Sequence, residues 1–427
     1  MIKRLLVTAV LASQTLSPAQ ASDFHGKTDG MSGAGSANSD FVTGIALSPT
    51  ALANFKDDQS FNIQFNAGAL VSDQDSMVDT SSDLSDRLSL IESRRFNVED
   101  AQFISQSLRS LVDTQATIDG GASLYLSMPT PSISLGLFAT TDVSVGIVSG
   151  VSSADIEFFD DVAAIGLIAQ QPGITNAEVL AAAQQRLQDK GGGAGNPRIL
   201  AAVAAVTGGQ SVDAQILGIE STVYASGAAV SQVGLNLSST LNEGSTLIGI
   251  SLKGQRVDLI DYLVDVDNFD ESDFSADDYR TQDNGTNIDL GLVHSVGRWS
   301  GAVSLIDLIS ADYTSAMGRT VSIDPLARLG LGYNNGWLQG ALDIDANARA
   351  NYATGEDSQF VRAGVQFDVW GWAQFRLGYK TDMKSQIDDT ASIGLGFSPF
   401  GMINIDVAAI AGANDTVGGS VRLGLTF

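Results

Sequence analysis

The sequence contains no cysteine and only two histidines. The first absence excludes disulfides, thiol catalysis and cysteine-ligated metal sites. His25 and His294 lie far apart in the chain, and we expect neither to be a metal ligand. There is also no G-x-S-x-G motif, the turn that carries the nucleophile of many hydrolases. We therefore predict a protein that is not an enzyme and that has no cofactor or metal.

Positive charge is scarce as well. The chain has 23 Lys and Arg residues against 49 Asp and Glu residues, which gives a net charge of −26 at pH 7. Because proteins that bind nucleic acid present a basic face, we expect no nucleic-acid partner. The run from Asp265 to Asp278 is especially acidic, but Phe269 interrupts any EF-hand spacing. It is either a solvated loop or a site for divalent cations that bridge lipopolysaccharide.

Long hydrophobic runs are also missing. No stretch of 18 or more apolar residues occurs, so the sequence predicts no transmembrane helix. Proline is rare, with 8 residues, whereas glycine is abundant, with 45. Barrel strands cross a membrane with short alternating segments, so a membrane barrel remains compatible with this composition.

The N-terminus has the features of a signal peptide. Lys3 and Arg4 precede an apolar stretch from Leu5 to Leu16, and Ala19-Gln20-Ala21 matches a cleavage site. We predict that residues 1–21 are removed and that the mature protein begins at Ser22. No cysteine follows the site, so a lipid anchor is not expected there.

The C-terminal strand alternates apolar and polar residues. Its apolar face consists of Val421, Leu423, Leu425 and Phe427, with Arg422 on the other face. This pattern resembles the signal that the barrel assembly machinery of bacterial outer membranes reads. We expect this strand to pair with a first strand near 61–71 and close a barrel. The alternative is the final strand of a soluble sheet.

Alternating strands occupy residues 60–427, and long and short connections between them alternate strictly. The pattern predicts an all-β fold, a transmembrane antiparallel barrel of about fourteen strands. Two long connections, 73–116 and 152–212, contain helical periodicity, with Asn176 as a helix cap and a second helix starting at Asn196-Pro197. Apolar parity changes after Gly254, which predicts a bulge there. All four tryptophans, Trp299, Trp337, Trp370 and Trp372, lie beside short turns, as in an aromatic belt.

Charged residues fall on the face opposite the apolar one. By parity, the lumen-facing residues are Lys253, Gln255, Arg328, Asp343, Asp345, Arg349, Arg362, Asp368, Arg376, Lys380, Asp406 and Arg422. An Arg or Lys that faced lipid at the middle of the membrane would destabilise the barrel by about 2–4 kcal/mol. The lumen-facing residues form either a salt-bridge network that fills the barrel or the lining of a polar conduit.

Residues 22–59 are rich in glycine and serine and precede the first strand. They are either a disordered leader or a compact segment inside the barrel, in which small residues allow close packing. The candidate turn residues of such a plug are Gly30, Gly33, Gly35, Ser48 and Pro49. The segment is not a phosphate-binding loop, because the Lys-Ser/Thr ending is missing.

Three stretches carry a resemblance to known families. Gly30 to Leu52 resembles the N-terminal plug of FadL-type barrels, although Ser48-Pro49-Thr50 stands where those proteins have an Asn-Pro-Ala-like turn. The stretches from Ile250 to Tyr262, from Asn268 to Asp270 and from Asn287 to Leu292 are similar to the TraF-like outer-membrane family of conjugal transfer. The resemblance spans nearly the whole mature chain. It implies a plugged barrel, associated with plasmid transfer or with passage of a hydrophobic compound.

Three functional hypotheses therefore stand. The first is an outer-membrane barrel of this type, with lipid, lipopolysaccharide, the assembly machinery and a small hydrophobic solute as partners. The second is an outer-membrane scaffold that binds partner proteins through its helical connections. The third is a soluble secreted all-β protein.

Overall fold

The computed structural model describes residues 24–43, 45, 47–56, 59–93, 96–130, 132–189, 219–265 and 276–427. The predicted signal peptide, the helix expected from Asn196 and most of the acidic run after Asp265 lie outside these residues. Within them, no helix has the length and hydropathy needed to span a membrane.

Fourteen antiparallel strands close into one barrel, as the alternating pattern predicts. They are β1 Asn62–Asp73, β2 Gln115–Met128, β3 Ser134–Gly150, β4 Thr222–Leu241, β5 Thr246–Asp265, β6 Arg280–Val296, β7 Trp299–Ile306, β10 Leu326–Asn334, β11 Leu338–Asp345, β14 Phe360–Asp368, β15 Ala373–Asp382, β16 Thr390–Phe397, β17 Ile403–Gly412 and β18 Val417–Thr426. Two short hairpins lie in long connections: β8 Ala311–Thr314 with β9 Thr320–Ile323, and β12 Arg349–Ala350 with β13 Asp357–Ser358.

The barrel closes between its first and last strands. Asn62 pairs with Thr426 and the register continues to Val71 and Val417. Past the last paired residue, the backbone N–H of Phe427 donates to the carbonyl of Phe61 at 2.8 Å. Closure removes the exposed edge that an apolar strand such as β18 would otherwise present.

The barrel wall is much taller on one side. Strands β2 to β6 have 14 to 20 residues, whereas β7 and the later barrel strands have 8 to 10. About 9–11 tilted residues suffice to cross a bilayer. Strands β2 to β6 therefore extend beyond the height that a membrane would cover. The extension lies at the end of the barrel that carries the long connections.

The described residues contain five α-helices besides the barrel strands: α1 Gly26–Asp29, α2 Met77–Ser93, α3 Val98–Ser110, α4 Ser153–Ala169 and α5 Asn176–Asp189. Helix α4 was not expected from the periodicity, because it is apolar on most sides and shows little amphipathic contrast. The cap of α5 is Thr175 and not Asn176. Its backbone N–H donates to Glu178 Oε2 at 2.8 Å, and Glu178 N–H donates to Thr175 Oγ1 at 3.4 Å, the reciprocal pairing of a capping box.

Helices α2 to α5 pack on the outer face of the tall wall. Asn236 on β4 faces the lumen, where it donates to the carbonyl of Pro49. Val223 and Ala225 lie an odd number of positions away and thus face outward. Both belong to the same buried apolar cluster as Leu84 and Phe159 of the helices. The helices therefore cover apolar wall surface above the belt that lipid would cover.

The bulge predicted at Gly254 is absent. Strand β5 keeps continuous register with both neighbours, and Gly254 pairs directly with Val233 and Thr286. Val257 and Leu259 simply face the lumen. They are buried there beneath the β8–β9 hairpin, against Tyr313, Val321 and Ile323. The apolar residues of β5 change from the outer face to the lumen face because an apolar core fills the lumen at the long-loop end.

Strand boundaries differ from the expectation in two places. Strand β4 begins at Thr222, ten residues after the expected end of the connection 152–212. Strand β11 ends at Asp345, so Arg349 lies in the β12–β13 hairpin and not in the barrel wall.

Apolar side chains cover the outer face of the barrel. On β16 to β18 the alternate residues Ile393, Leu395, Val407, Val421 and Leu423 are 42–57% exposed. The four tryptophans sit at the short-turn end, where Trp370 stacks on Trp372 at 5.6 Å between ring centroids. An apolar belt with an aromatic rim is the outer surface of a membrane barrel.

We predict that Ile393→Arg destabilises the barrel in lipid bilayers by about 2–4 kcal/mol, because a guanidinium would lie at the middle of the belt. Val417→Arg, at the long-loop end of β18, serves as the matched control and should cost about 0–1 kcal/mol. Urea unfolding of the two variants in vesicles measures both costs. Equal losses would contradict the position that we assign to the belt.

Candidate functional site

The first described residues form a segment inside the barrel. We call residues 24–43, 45 and 47–56 the inner segment. Helix α1 packs against β16, β17 and β18. A 3₁₀ turn, Ser36–Asn38, packs against β7, β10 and β11, and a second one, Ala51–Ala53, against β3, β4 and β5. The inner segment therefore touches the wall on all sides of the lumen.

Glycines in the wall allow this close packing. A Cβ at Gly378 on β15 would lie 2.2 Å from the carbonyl carbon of Met31. A Cβ at Gly249 on β5 would lie 2.1 Å from the carbonyl oxygen of Pro49. Both contacts are with backbone, which cannot rotate away as a side chain can. Part of the high glycine content thus creates a wall surface on which a second layer of backbone can lie.

Buried polar side chains of the wall hold the inner segment. The carboxylate of Asp343, which is fully buried, accepts from the backbone N–H groups of Gly35 and Ser36 at 3.1 and 3.0 Å and from the Ser36 hydroxyl at 2.8 Å. Asn236 donates to the Pro49 carbonyl at 3.0 Å, and Arg422 donates to the Val42 carbonyl. These bonds anchor the segment at three separated points of the wall.

The five turn residues singled out in the sequence all lie in these contacts. Gly30 packs on Gly394, where a Cβ would lie 2.8 Å from the Gly394 Cα. Gly33 and Gly35 have φ angles of +78° and +138°, the region that favours glycine. The Ser48 hydroxyl accepts from the Thr50 backbone N–H at 3.3 Å and so closes the turn around Pro49.

Three of the lumen charges form a buried triad near the short-turn end. Arg376 Nη1 lies 2.7 Å from Asp406 Oδ1, and Arg422 Nε lies 2.7 Å from Asp406 Oδ2. All three are 2% exposed. Arg376 also donates to Gln366 at 2.6 Å, whose amide in turn donates to Asp368 at 3.2 Å. One carboxylate bonded on both oxygens compensates two guanidinium groups.

A chamber of about 280 Å³ lies on the long-loop side of the inner segment. Phe24, Asp29 and Leu47 of the segment contribute to its floor, and Arg328, Asp345, Arg362 and Lys380 line its wall. Asp345 Oδ1 accepts from Arg328 Nε at 2.8 Å and from Arg362 Nη1 at 3.0 Å. Charged and apolar groups therefore share one small chamber.

A vestibule of about 530 Å³ adjoins the chamber. The two cavities share lining residues, among them Leu70, Asp119 and Lys380. The vestibule also contains Asp388 and residues of the connections after β15 and β17. A solute entering from the long-loop end would pass through the vestibule to reach the chamber.

Two outer connections fold into the tall half of the lumen. The β8–β9 hairpin lies on Val257 and Leu259, and the β12–β13 connection is held by the Ser226 hydroxyl, which donates to the Ala353 carbonyl at 2.5 Å. Arg319 joins the two connections by donating to the Tyr352 carbonyl at 2.6 Å. Together they fill the lumen beside β3 to β6, and the β12–β13 connection borders the vestibule through Asn351, Thr354 and Glu356.

Asp307 joins these connections to the wall. Its carboxylate accepts from Lys253 Nζ at 2.6 Å, Gln255 Nε2 at 3.2 Å and Arg349 Nη2 at 2.7 Å. Burial alone would raise the pKa of Asp307, but the charges of Lys253 and Arg349 outweigh it and hold this pKa below its usual value. The carboxylate is therefore ionised at neutral pH.

Three residues of the site, Asp307, Phe24 and Asp289, were not predicted from the sequence. Asp307 follows β7 in a connection, where strand parity has no meaning, so no sequence signal marks it. Phe24 is one of three phenylalanines in residues 22–59, and no sequence pattern sets it apart from Phe41 and Phe55. Asp289, in contrast, pairs with Lys253 at 2.7 Å and lies on the lumen parity of β6, so the alternation that identified Lys253 could have identified it.

A family model matches residues 46–345, well over half of the chain, and is described as "F plasmid transfer operon, TraF, protein". No curated protein sequence matches the chain.

Solved structures with a similar fold include the CymD monoaromatic hydrocarbon channel (11% identity, TM-score 0.51, 95% of this chain and 97% of that one). The toluene transporter TbuX of Ralstonia pickettii is similar over 95% of this chain and 98% of its own, at 10% identity and TM-score 0.51. A FadL homologue of Pseudomonas aeruginosa is similar over 96% of this chain and 99% of its own, at 10% identity and TM-score 0.51. These likenesses establish the fold, a FadL-type barrel.

We predict that Gly378→Ala displaces the inner segment, because the added methyl group would overlap the Met31 backbone. Gly424→Ala is the matched control, also on the lumen side, where a Cβ meets atoms only at 3.5 Å or beyond. Limited proteolysis of refolded protein should cleave near residues 30–50 several times faster in the first variant. Equal cleavage rates would contradict the tight seat.

We predict that Asp307→Asn loosens the β8–β9 hairpin at a cost of about 3 kcal/mol, since Arg349 loses its paired carboxylate and the buried Lys253 keeps only Asp289. The control is Asp312→Asn, an exposed carboxylate bonded to the Ser322 hydroxyl. Hydrogen exchange in residues 311–323 should accelerate only in the first variant. In the unaltered protein, the stability that the ionised Asp307 carboxylate contributes should be present at neutral pH. It should disappear only below about pH 4, the usual aspartate pKa, because a carboxylate whose pKa is lowered on folding stabilises the folded state while it is ionised.

Proposed function

The chain belongs to the family described as "F plasmid transfer operon, TraF, protein", and from the geometry of its lumen we propose that it is a non-enzymatic outer-membrane channel for a small amphipathic solute. The single observation that carries this proposal is the chamber of about 280 Å³ at the end of an open vestibule, floored by the inner segment. Its lining combines apolar side chains with a few fixed charges, the usual composition of a small-molecule site.

An outer-membrane location is supported by three features. The outer face carries the apolar belt and the aromatic rim, the short turns lie together at one end, and the fold is FadL-type. Residues 1–21, which carry the features of a signal peptide, would supply the export step. The outward face of β18, with Phe427, would then serve as the recognition element for the assembly machinery, and the belt would contact lipid and lipopolysaccharide.

The route past the inner segment is the limiting step of the proposed passage. In the described part of the wall, all fourteen barrel pairings keep unbroken register, so the wall has no lateral gap at the height of the short strands, although β6 continues above its last pairing with β7 at Leu290. A solute in the chamber must therefore displace part of the inner segment or pass beside it. The relatives named above as hydrocarbon channels and toluene transporters support passage of an apolar compound only by likeness of fold.

A direct role in conjugation has less structural support. The family description names a plasmid transfer operon. However, a net charge of −26 and carboxylates in the vestibule would repel a DNA strand. The scaffold hypothesis is not favoured either, because in the described helices the main apolar faces are buried against one another and against the wall.

The proposal predicts selective flux through vesicles. The mature chain should conduct octanoate faster than glucose, and a chain lacking residues 22–58 should conduct both faster and without preference. Stopped-flow pH and osmotic swelling assays measure the two fluxes. Equal fluxes in the two chains would remove the plug role of the inner segment, and an absence of octanoate flux in both would overturn the channel.

A further inference from the structure

The chamber and the vestibule differ in the charges of their linings, although Asp119 and Lys380 line both. The vestibule is lined by the carboxylates of Glu356, Asp382, Asp388 and Asp389. Each accepts hydrogen bonds from neutral donors: Gln115 for Glu356 at 3.2 Å, and Asn414 and Thr416 for Asp388 at 2.9 and 3.0 Å. None of the four forms an ion pair with a cation in the described residues. The entrance is therefore a region of negative potential.

The chamber wall carries a row of cations on adjacent strands. Arg328 on β10 pairs in register with Asp345 on β11, and Arg362 on β14 pairs in register with Lys380 on β15. Asp345 is already bonded to both arginines. Lys380 Nζ has no hydrogen bond or ion pair with any described residue, and its contact is the ring of Phe360, at 4.9 Å from the centroid. Arg362 lies over the same ring, also at 4.9 Å.

The other carboxylates of the chamber have their own donors. Asp29 accepts from the backbone N–H of His25 at 2.7 Å, and Asp119 accepts from the Ser144 hydroxyl at 2.6 Å. They moderate the positive potential without pairing directly with Lys380. A ligand anion beside Lys380 and Arg362 would therefore gain a charge-assisted hydrogen bond that the protein leaves unmade.

Apolar surface lies between the two charged regions. Leu70 and Ile387 line both cavities, and Ile410 lines the chamber beside them. A ligand that reaches from the vestibule to Lys380 would place its central part against these side chains. Lys380 lies where the two cavities meet, with Glu356, Asp382, Asp388 and Asp389 on the vestibule side and Arg328 and Arg362 on the chamber side.

We propose that the preferred solute is a small zwitterion with an apolar middle, its anionic group at Lys380 and Arg362 and its cationic group among the vestibule carboxylates. This inference rests on the proposed channel function and names its substrate class. Both kinds of single charge still enter but bind more weakly, because the entrance carboxylates disfavour a simple anion and the chamber cations disfavour a simple cation. A molecule that carries both charges at opposite ends satisfies both regions.

Equilibrium binding tests the proposal without requiring flux. Three probes of similar length are titrated by calorimetry into the mature protein in lipid nanodiscs: 8-aminooctanoate, octanoate and octylamine. We expect the zwitterion to bind about tenfold more tightly than either single-charge probe, the worth of one charge-assisted hydrogen bond. Octanoate or octylamine binding as tightly as 8-aminooctanoate would overturn the inference.

Two pairs of variants locate the ends of the ligand. Lys380→Gln should weaken binding of 8-aminooctanoate about tenfold, whereas Lys384→Gln, an exposed lysine two residues before the lining residue Gln386, should leave it unchanged. Glu356→Gln should weaken 8-aminooctanoate and strengthen octanoate, because it removes repulsion at the entrance. Asp357→Asn, the exposed neighbour outside the lining, is its control.

The outcomes separate this inference from the channel proposal. Selective zwitterion binding without solute flux would support the site and overturn the channel. Octanoate flux without a preference for the zwitterion would support the channel and overturn the substrate class. An equal effect of Lys384→Gln and Lys380→Gln would also overturn the site, because it would indicate a general charge effect.

Discussion

The contact of the inner segment with a wall that lacks Cβ atoms is the constraint on which the rest of the lumen depends. At Gly378 and Gly249, two backbones approach to distances that any side chain would prevent. The close approach brings the segment's N–H and carbonyl groups within reach of wall side chains such as Asp343 and Asn236. Backbone groups that leave water need such partners, since an unpaired buried group costs about 1–3 kcal/mol. The glycine contacts therefore make the anchoring hydrogen bonds possible.

The charges of the lumen serve two different purposes. The triad around Asp406 is fully bonded, so its role is structural, as the hypothesis of a salt-bridge network requires. Lys380, some distance from that triad toward the long-loop end of the lumen, lines a cavity and lacks such a partner. Strand parity alone identifies Arg376, Arg422 and Lys380 equally as lumen-facing cations. The two alternatives from the sequence, network and conduit lining, therefore apply to different parts of the same list.

The uneven height of the wall explains where sequence reasoning was wrong. A membrane barrel with uniform strands has one apolar face and one polar face. In β5 the upper half faces a loop hairpin inside, so Val257 and Leu259 are apolar and face the lumen. On β4, Val223 and Ala225 are apolar and face helices rather than lipid. The predicted bulge at Gly254 was wrong because apolar parity was assumed to mark lipid throughout.

The sequence alone determined the barrel: its strand number, its antiparallel order, its closure between β1 and β18 and the end at which the tryptophans gather. These follow from period-two alternation and connection length, which are local properties of the chain. Only the tertiary structure decided how the lumen is filled. The seat of the inner segment, the link made by Asp307 and the charge order from Glu356 to Lys380 join residues far apart in sequence. Their distances depend on how strands are arranged around a closed wall, which no local pattern encodes.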